Sequence, residues 1–323
     1  MKKIILIILI CVFQQQLFSQ DTLKEKYNLM PWPQEISTNN TTFKIDEKLL
    51  ISINGEDSKK RVTNASIQFL RRLANRTGVF IDTGFPVKQK RASIKVSFDK
   101  VSSLTIESDE SYSLKVKENE VLIKATTDVG ALRGLETLLQ LVNFNKNGYY
   151  FEGVDIKDFP RFVWRGLMID AARHFQPIAV LKRNLNAMAS VKLNVFHWHL
   201  TDDQGFRVES KVYPKLQEKA SDGLFYTQEQ VRDLVKYASN LGIRVIPEFD
   251  VPGHSTAILT AYPELGSKKG AKYSIERFSG IFDPTLNPSK EATYTFLENL
   301  FTEITPLFPD EYFHIGGDEN EGK

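Results

Sequence analysis

The stretch Asn194-Val195-Phe196-His197-Trp198-His199-Leu200-Thr201-Asp202-Asp203 decides the fold. An apolar run rich in aromatic and β-branched residues ends in two carboxylates, and Thr227 to Asn240, a segment of helical spacing, follows it. The first part reads as a buried strand and the second as a covering helix. The same unit recurs on either side. Upstream, Val163 to Asp170 reads as a strand and Ile178 to Ser190 as its helix; downstream, Ile243 to Asp250 leads through a long loop to helical Glu291 to Leu307 and a fourth strand, Tyr312 to Gly316. Strands that alternate with helices imply a parallel sheet with helices on its faces.

A doubly wound open sheet would carry a Gly-rich phosphate turn after its first strand, and none stands there. Each strand instead ends in ionisable residues, as when the C-terminal strand ends of a barrel build one site together. The expected fold class is therefore α/β, a (β/α)8 TIM-type barrel over residues 159–323. A barrel takes about 250 residues, so these four strands are expected to be only about its first half. With parallel edges left unpaired, that half alone is expected to be inactive and poorly soluble.

Residues 21–158 read differently. Short strands such as Ser93 to Phe98, Tyr112 to Val116 and Val121 to Ala125 mix with two segments of helical spacing, one around Phe69, Leu70 and Leu73, the other at Leu132, Leu135, Leu138, Leu139 and Val142. This predicts a small α+β domain that packs or positions its neighbour. Its Asn-x-Ser/Thr triplets at Asn39, Asn40, Asn64 and Asn75 matter only in a host that glycosylates exported protein.

Residues 1–20 have the layout of a secretory signal peptide: Lys2 and Lys3, then the apolar run Ile4 to Phe13, then a short polar stretch. The run is too short to span a bilayer, so export to the periplasm or the extracellular space is expected, without stable membrane insertion. Cys11 raises a lipoprotein alternative, disfavoured because the bulky Ile10 precedes it. As the only cysteine it would leave with the signal, so the mature chain has neither a disulfide nor a thiolate. Loss of Lys2 and Lys3 takes the formal charge from +2 to 0, which gives no basic footprint for nucleic acid. No sequence feature names an oligomeric state.

The chemistry gathers late. All five histidines follow residue 173, and the strand ends collect Asp170, Arg173 and His174, then His197, His199, Asp202 and Asp203, then Glu248, Asp250 and His254, then His314, Asp318 and Glu319. His197 and His199, two apart on one strand, face the same side, and such a pair suits a metal as readily as a packed core. A metal-dependent hydrolase is therefore one reading. In His314-Ile315-Gly316-Gly317-Asp318-Glu319, two glycines let the backbone turn sharply after a strand, and two carboxylates at a barrel mouth suit glycoside hydrolysis.

Four motifs in order carry a resemblance: Pro160 to Phe175, Asn194 to Asp203, Pro247 to His254, and His314 to Glu319. The chain resembles glycoside hydrolase family 20, the β-N-acetylhexosaminidases, from about Asn28 onward, its first domain resembling the family's non-catalytic α+β domain. The resemblance implies an exo-acting, retaining enzyme that removes terminal GlcNAc or GalNAc from oligosaccharides or glycoconjugates. In it the sugar's own 2-acetamido oxygen is the nucleophile and an oxazolinium the intermediate, without cofactor or metal. It implies Glu319 as general acid/base and Asp318 as acceptor of the acetamido N–H. Asp202 and His254 would form a relay to Glu319, and Arg173 would bind sugar hydroxyls. Tryptophans and a tyrosine that wall the family's acetamido pocket have no counterpart in this sequence. A sugar-binding relative without activity, and a different exo-hexosaminidase cleaving lacto-N-biose, stay open beside this reading.

Overall fold

A computed structural model describes residues 23–81, 86–87 and 91–320. The signal segment expected at residues 1–20 lies outside them. The chain divides into two compact units: one holds the residues up to Ser102 together with Ser108–Arg161, the other Ser103–Glu107 together with the chain from Phe162 onward.

The first unit is built on a seven-stranded mixed sheet. Its strands are β1 (Glu35–Lys44), β2 (Ile51–Asn54), β3 (Ile94–Lys100), β4 (Tyr112–Lys117), β5 (Glu120–Thr127), β6 (Val142–Asn145) and β7 (Gly148–Asp158), in the order β1-β7-β4-β5-β3-β2 with β6 on β7. Helices α1 (Arg61–Thr77) and α2 (Asp128–Gln140) pack on each other, and α2 lies against β3, β4 and β5. Thr127 starts α2 by accepting the Gly130 N–H at 3.1 Å, which satisfies an otherwise orphaned donor. Val142 shares the apolar spacing of α2 but opens β6 instead, because the helix ends at Gln140 and the chain pairs with β7. Two ion pairs are buried: Arg61 meets Asp128 at 2.9 Å and Arg133 meets Glu110 at 2.6 Å.

The second unit places the chemistry. β8 (Gly166–Asp170), β9 (Val195–Asp202) and β11 (Arg244–Phe249) run parallel in the order β8-β9-β11, and the short β10 (Gly205–Phe206) folds back on the end of β9. Between β8 and β9 lies α3 (Ile178–Ser190), which buries Leu181, Leu185, Met188 and Ala189 on one stripe. After the short α4 (Lys215–Lys219) comes α5 (Gln228–Asn240), opened by a capping box in which Thr227 and Gln230 exchange side-chain-to-backbone bonds. Beyond the short α6 (Thr256–Ala261), α7 (Glu291–Ile304) buries Phe296, Leu300 and Ile304. A 3-10 turn takes over at Thr305–Leu307, where Pro306 has no N–H with which to continue the helix. The core is dominated by Phe196, Trp198, Phe206, Tyr226 and Phe249. No helix among the described residues is long and apolar enough to cross a membrane.

The expected fourth strand is a correction. Tyr312 to Gly316 forms a single parallel bridge, His314 with Glu248, rather than a strand. Three backbone bonds tie it to β11 and the chain just beyond: His314 N–H to Pro247 O, Phe249 N–H to His314 O and Val251 N–H to Ile315 O. The extended course then ends because Gly316 and Gly317 adopt φ of 64° and 93°. The first strand also starts late, at Gly166 rather than Val163.

Candidate active site

In-register parallel strands point equivalent side chains the same way, and this builds the centre of the site. Asp170 on β8 pairs with His199 on β9, which pairs with Glu248 on β11. A register shift between Glu248 and Phe249 follows, so the chain beyond β11 turns out of the sheet, and the Asp250 N–H is taken by Thr201 Oγ1 at 2.9 Å. Asp170, Asp202, Asp203, Asp250 and His254 thereby lie at the C-terminal ends of the three parallel strands or just beyond them.

Arg173 is held by two carboxylates. Nη1 donates to Asp170 Oδ2 and Nη2 contacts Asp202 Oδ2, both at 2.8 Å. Burial works against its charge, but Asp170 and Asp202 prevail and lift its pKa further. About a third of the side chain is still exposed, so the guanidinium keeps donors for a ligand.

His254 is buried, in the left-handed region at φ 46°. Nδ1 lies 3.1 Å from Asp203 Oδ2 and 3.3 Å from Asp202 Oδ1, and Nε2 lies 2.8 Å from Glu319 Oε2. Beside the expected line from Asp202 through His254 to Glu319 the structure adds Asp203: both aspartates face Nδ1, and the hydrogen bond is with Asp203. Asp202 has other partners as well, with Oδ2 facing His199 at 3.0 Å as well as Arg173, and Oδ1 accepting the Asp203 N–H at 2.7 Å. Asp203 in turn is fixed by the N–H and hydroxyl of Thr256, at 2.9 and 2.5 Å. Burial disfavours the imidazolium of His254, but Asp202, Asp203 and Asp250 outweigh it and raise its pKa.

Asp318 and Glu319 follow the glycine turn. Gly317 N–H donates to Asp250 Oδ1 at 3.0 Å, and Asp250 also faces Asp318. Burial and the neighbouring Asp318 carboxylate raise the Asp250 pKa to about 6, against the lowering effect of that N–H. Glu319 is itself left-handed, at φ 53°, and its side chain is 40% exposed. A non-glycine residue held in that region beside another one, His254, marks a geometry kept at a cost by its surroundings.

Sequence reasoning gathered Glu248 at a strand end without giving it work. Its carboxylate is met by His197 Nε2 at 2.7 Å, His199 Nδ1 at 2.8 Å and His314 Nδ1 at 3.2 Å. Burial alone would raise its pKa, but His197 and His199 pull it well below the usual carboxylate range. Donor atoms come close enough for a cation at His197, Glu248 and His314, at Asp202, Asp203 and His254, and at Asp250, His254 and Asp318. In the first two groups the contacts described pair imidazole with carboxylate, in the third the carboxylates of Asp250 and Asp318 face each other, and no cation is assigned. The alternation Glu248-x-Asp250 was the one available signal, since it matches His197-x-His199 in period.

The pattern meets known proteins over both units. Residues 162–323 match "Glycosyl hydrolase family 20, catalytic domain", and residues 29–141 match "beta-acetyl hexosaminidase like". The chain is 54% identical to a Flavobacterium johnsoniae chitobiase of known structure, with a TM-score of 0.90 over 93% of this chain and 46% of that one. Against an exo β-N-acetylglucosaminidase of Vibrio harveyi, solved in complex with N-acetylglucosamine, identity is 33% and the TM-score 0.73, covering 90% of this chain and 46% of the other. Dictyostelium discoideum beta-hexosaminidase subunit A1 is 36% identical over 92% of this chain and 54% of its own length. The chain thus spans about half the length of the relatives it matches. With the catalytic-domain description matched along half of its residues, and in the segment that holds Arg173, Asp202, His254, Asp318 and Glu319, the chain belongs to glycosyl hydrolase family 20.

Proposed function

We propose that this chain carries the acid/base half of the active site of an exported, exo-acting, retaining β-N-acetylhexosaminidase, on the first strands of a (β/α)8 barrel, and that its substrates are glycans ending in GlcNAc or GalNAc. The observation that carries the proposal is the contact of Glu319 Oε2 with His254 Nε2 at 2.8 Å, beside the adjacent carboxylate of Asp318. A carboxyl group that first gives a proton to a leaving oxygen and later takes one from water needs a partner that tolerates both states. His254, backed by Asp203 and with its pKa raised, is such a partner.

Asp318 has the complementary role. An ionised carboxylate at that place accepts the acetamido N–H, aims the carbonyl oxygen at the anomeric carbon and stabilises the positive charge that builds on nitrogen. Since the nucleophile belongs to the substrate, no enzymic one is needed, and the separation of the two carboxyl groups does not report the stereochemistry. Arg173, partly exposed and oriented by two carboxylates, is suited to sugar hydroxyls.

The test is substrate preference in the natural gene product that contains this chain. Nitrophenyl β-glycosides of GlcNAc and GalNAc should be hydrolysed with retention, while the glucoside, which lacks the acetamido group, should be turned over at least about a hundredfold more slowly. Equal turnover of glucoside and N-acetylglucosaminide would sink the substrate-assisted reading.

A further inference from the structure

We propose that His199 is a positioning residue, an imidazolium held between Glu248 and Asp202 that fixes the plane of the Asp202 carboxylate and, through it, both Arg173 and His254. The proposal deepens the hexosaminidase reading and rests on it. The strand register puts His199 in line with Asp170 on one neighbour and Glu248 on the other. The ring is almost wholly buried, Nε2 lies 3.0 Å from Asp202 Oδ2, and Nδ1 lies 2.8 Å from Glu248 Oε2. The Glu248 contact is oblique to the ring N–H direction, which makes it an ion pair more than a linear hydrogen bond.

The charge follows from counting donors. A neutral imidazole has one N–H, so one of its nitrogens would turn a lone pair toward a carboxylate oxygen at hydrogen-bond distance; only the doubly protonated ring suits both neighbours. Burial opposes that charge, yet Asp202 and Glu248 push the His199 pKa up to about 10, with Asp170 adding to them. His197 and His314 reach the cluster only by way of Glu248, and Arg173 by way of Asp202.

Asp202 is the hub, fully buried, with one oxygen between Arg173 and His199 and the other between the Asp203 N–H and His254. Arg173 belongs to substrate binding and His254 to proton transfer, so the rotation of a single carboxylate couples the two. Without a cation at position 199, Oδ2 keeps only Arg173, and the carboxylate is free to turn with it. The site also becomes more negative, which raises the pKa of His254 further.

The experiment compares the natural gene product with His199→Gln and with the nearly isosteric Glu248→Gln, which keeps the fold testable if the first variant does not fold. Both should raise KM about tenfold or more and lower kcat by a smaller factor, and His199→Gln, which removes a positive charge, should move the alkaline limb of the kcat/KM profile to higher pH. In the unsubstituted protein, 15N spectra of labelled histidine should show one imidazole protonated on both nitrogens from about pH 5 to about pH 9; in Glu248→Gln that ring should titrate closer to neutrality. An unaltered KM in either folded variant, an unaltered pH profile in folded His199→Gln, or the absence of a ring that stays doubly protonated, would overturn the inference. Absence of N-acetylglucosaminidase turnover in the unsubstituted protein would count against the hexosaminidase reading instead, so the two failures are separable.

Discussion

Glu319 Oε2 stands 2.8 Å from His254 Nε2, and the opposite nitrogen of that ring is hydrogen-bonded to Asp203 at 3.1 Å. An exposed carboxyl group thus stands in ion-pair contact, off the ring N–H direction, with an imidazole whose other nitrogen is bonded to a buried carboxylate. Replacing His254 with Gln should lower kcat by about a hundredfold with little change in KM, since general acid–base assistance contributes on the order of 10² to 10⁴. Asp203→Asn should follow in the same direction, and more strongly than a relay through Asp202 alone would allow. Steady-state kinetics on a nitrophenyl N-acetylglucosaminide checks both; a normal kcat in Asp203→Asn would return the relay to Asp202.

Arg173 is held in place by Asp170 and Asp202 at 2.8 Å each. Lysine keeps the charge but presents no planar fork, so Arg173→Lys should raise KM at least about tenfold and leave the pH profile in place. The readout is the split between KM and kcat, and a change in kcat alone would contradict a binding role.

Asp250 contributes a pH dependence whose sign is fixed by its raised pKa. Its folded-state value of about 6 lies above the ordinary value near 4. Folding therefore binds a proton in this window, and stability is lost as pH rises from about 4 through about 6. Asp250→Asn should remove that loss and gain about 1 kcal/mol at neutral pH, discounted for partial solvent screening. Denaturation midpoints of both proteins at several pH values measure it; a midpoint in Asp250→Asn that still falls across this window would assign the effect to another group.

Gly316 sits at φ 64° with the Asp250 carboxylate against the place a Cβ would occupy. Gly316→Ala should cost about 1–2 kcal/mol from the backbone alone, displace Asp250, and lower kcat. Both effects should appear together in thermal denaturation and kinetics, whereas full activity would show that the turn does not aim Asp318 and Glu319.

Much of this architecture could be read from periodicity. The helices expected at Ile178 to Ser190 and Thr227 to Asn240 are local facts of spacing, and the structure has them at Ile178–Ser190 and Gln228–Asn240. The boundary at Val142 and the single bridge at His314 were not legible, because pairing with β7 and the two left-handed glycines override local propensity. In the site, strand ends and motifs picked out the groups that converge. What they could not show is that Asp203 joins Asp202 at His254 and takes the hydrogen bond, since its carboxylate is fixed by Thr256, more than fifty residues away in sequence. The role of Glu248 was hidden for the same reason: its three histidines come from β9 and from the chain after α7.

His197 and His199, once readable as a metal pair, both contact Glu248. Exhaustive chelation of the natural gene product should therefore leave its glycosidase activity unchanged. Loss of activity on chelation, restored by a divalent metal, would revive the metal-dependent reading.

The central claim is that Glu319 protonates the leaving oxygen, and leaving-group dependence tests it most directly. Glu319→Gln should be measured against the unsubstituted protein on N-acetylglucosaminides with a poor leaving group, such as a sugar, and a good one, such as dinitrophenolate. The account predicts that kcat/KM falls by at least about 10³-fold for the poor leaving group and far less for the good one, which needs no proton. An equal loss on both substrates, or full activity on either the sugar or the dinitrophenyl substrate with Asp318 also replaced by Asn, would contradict it.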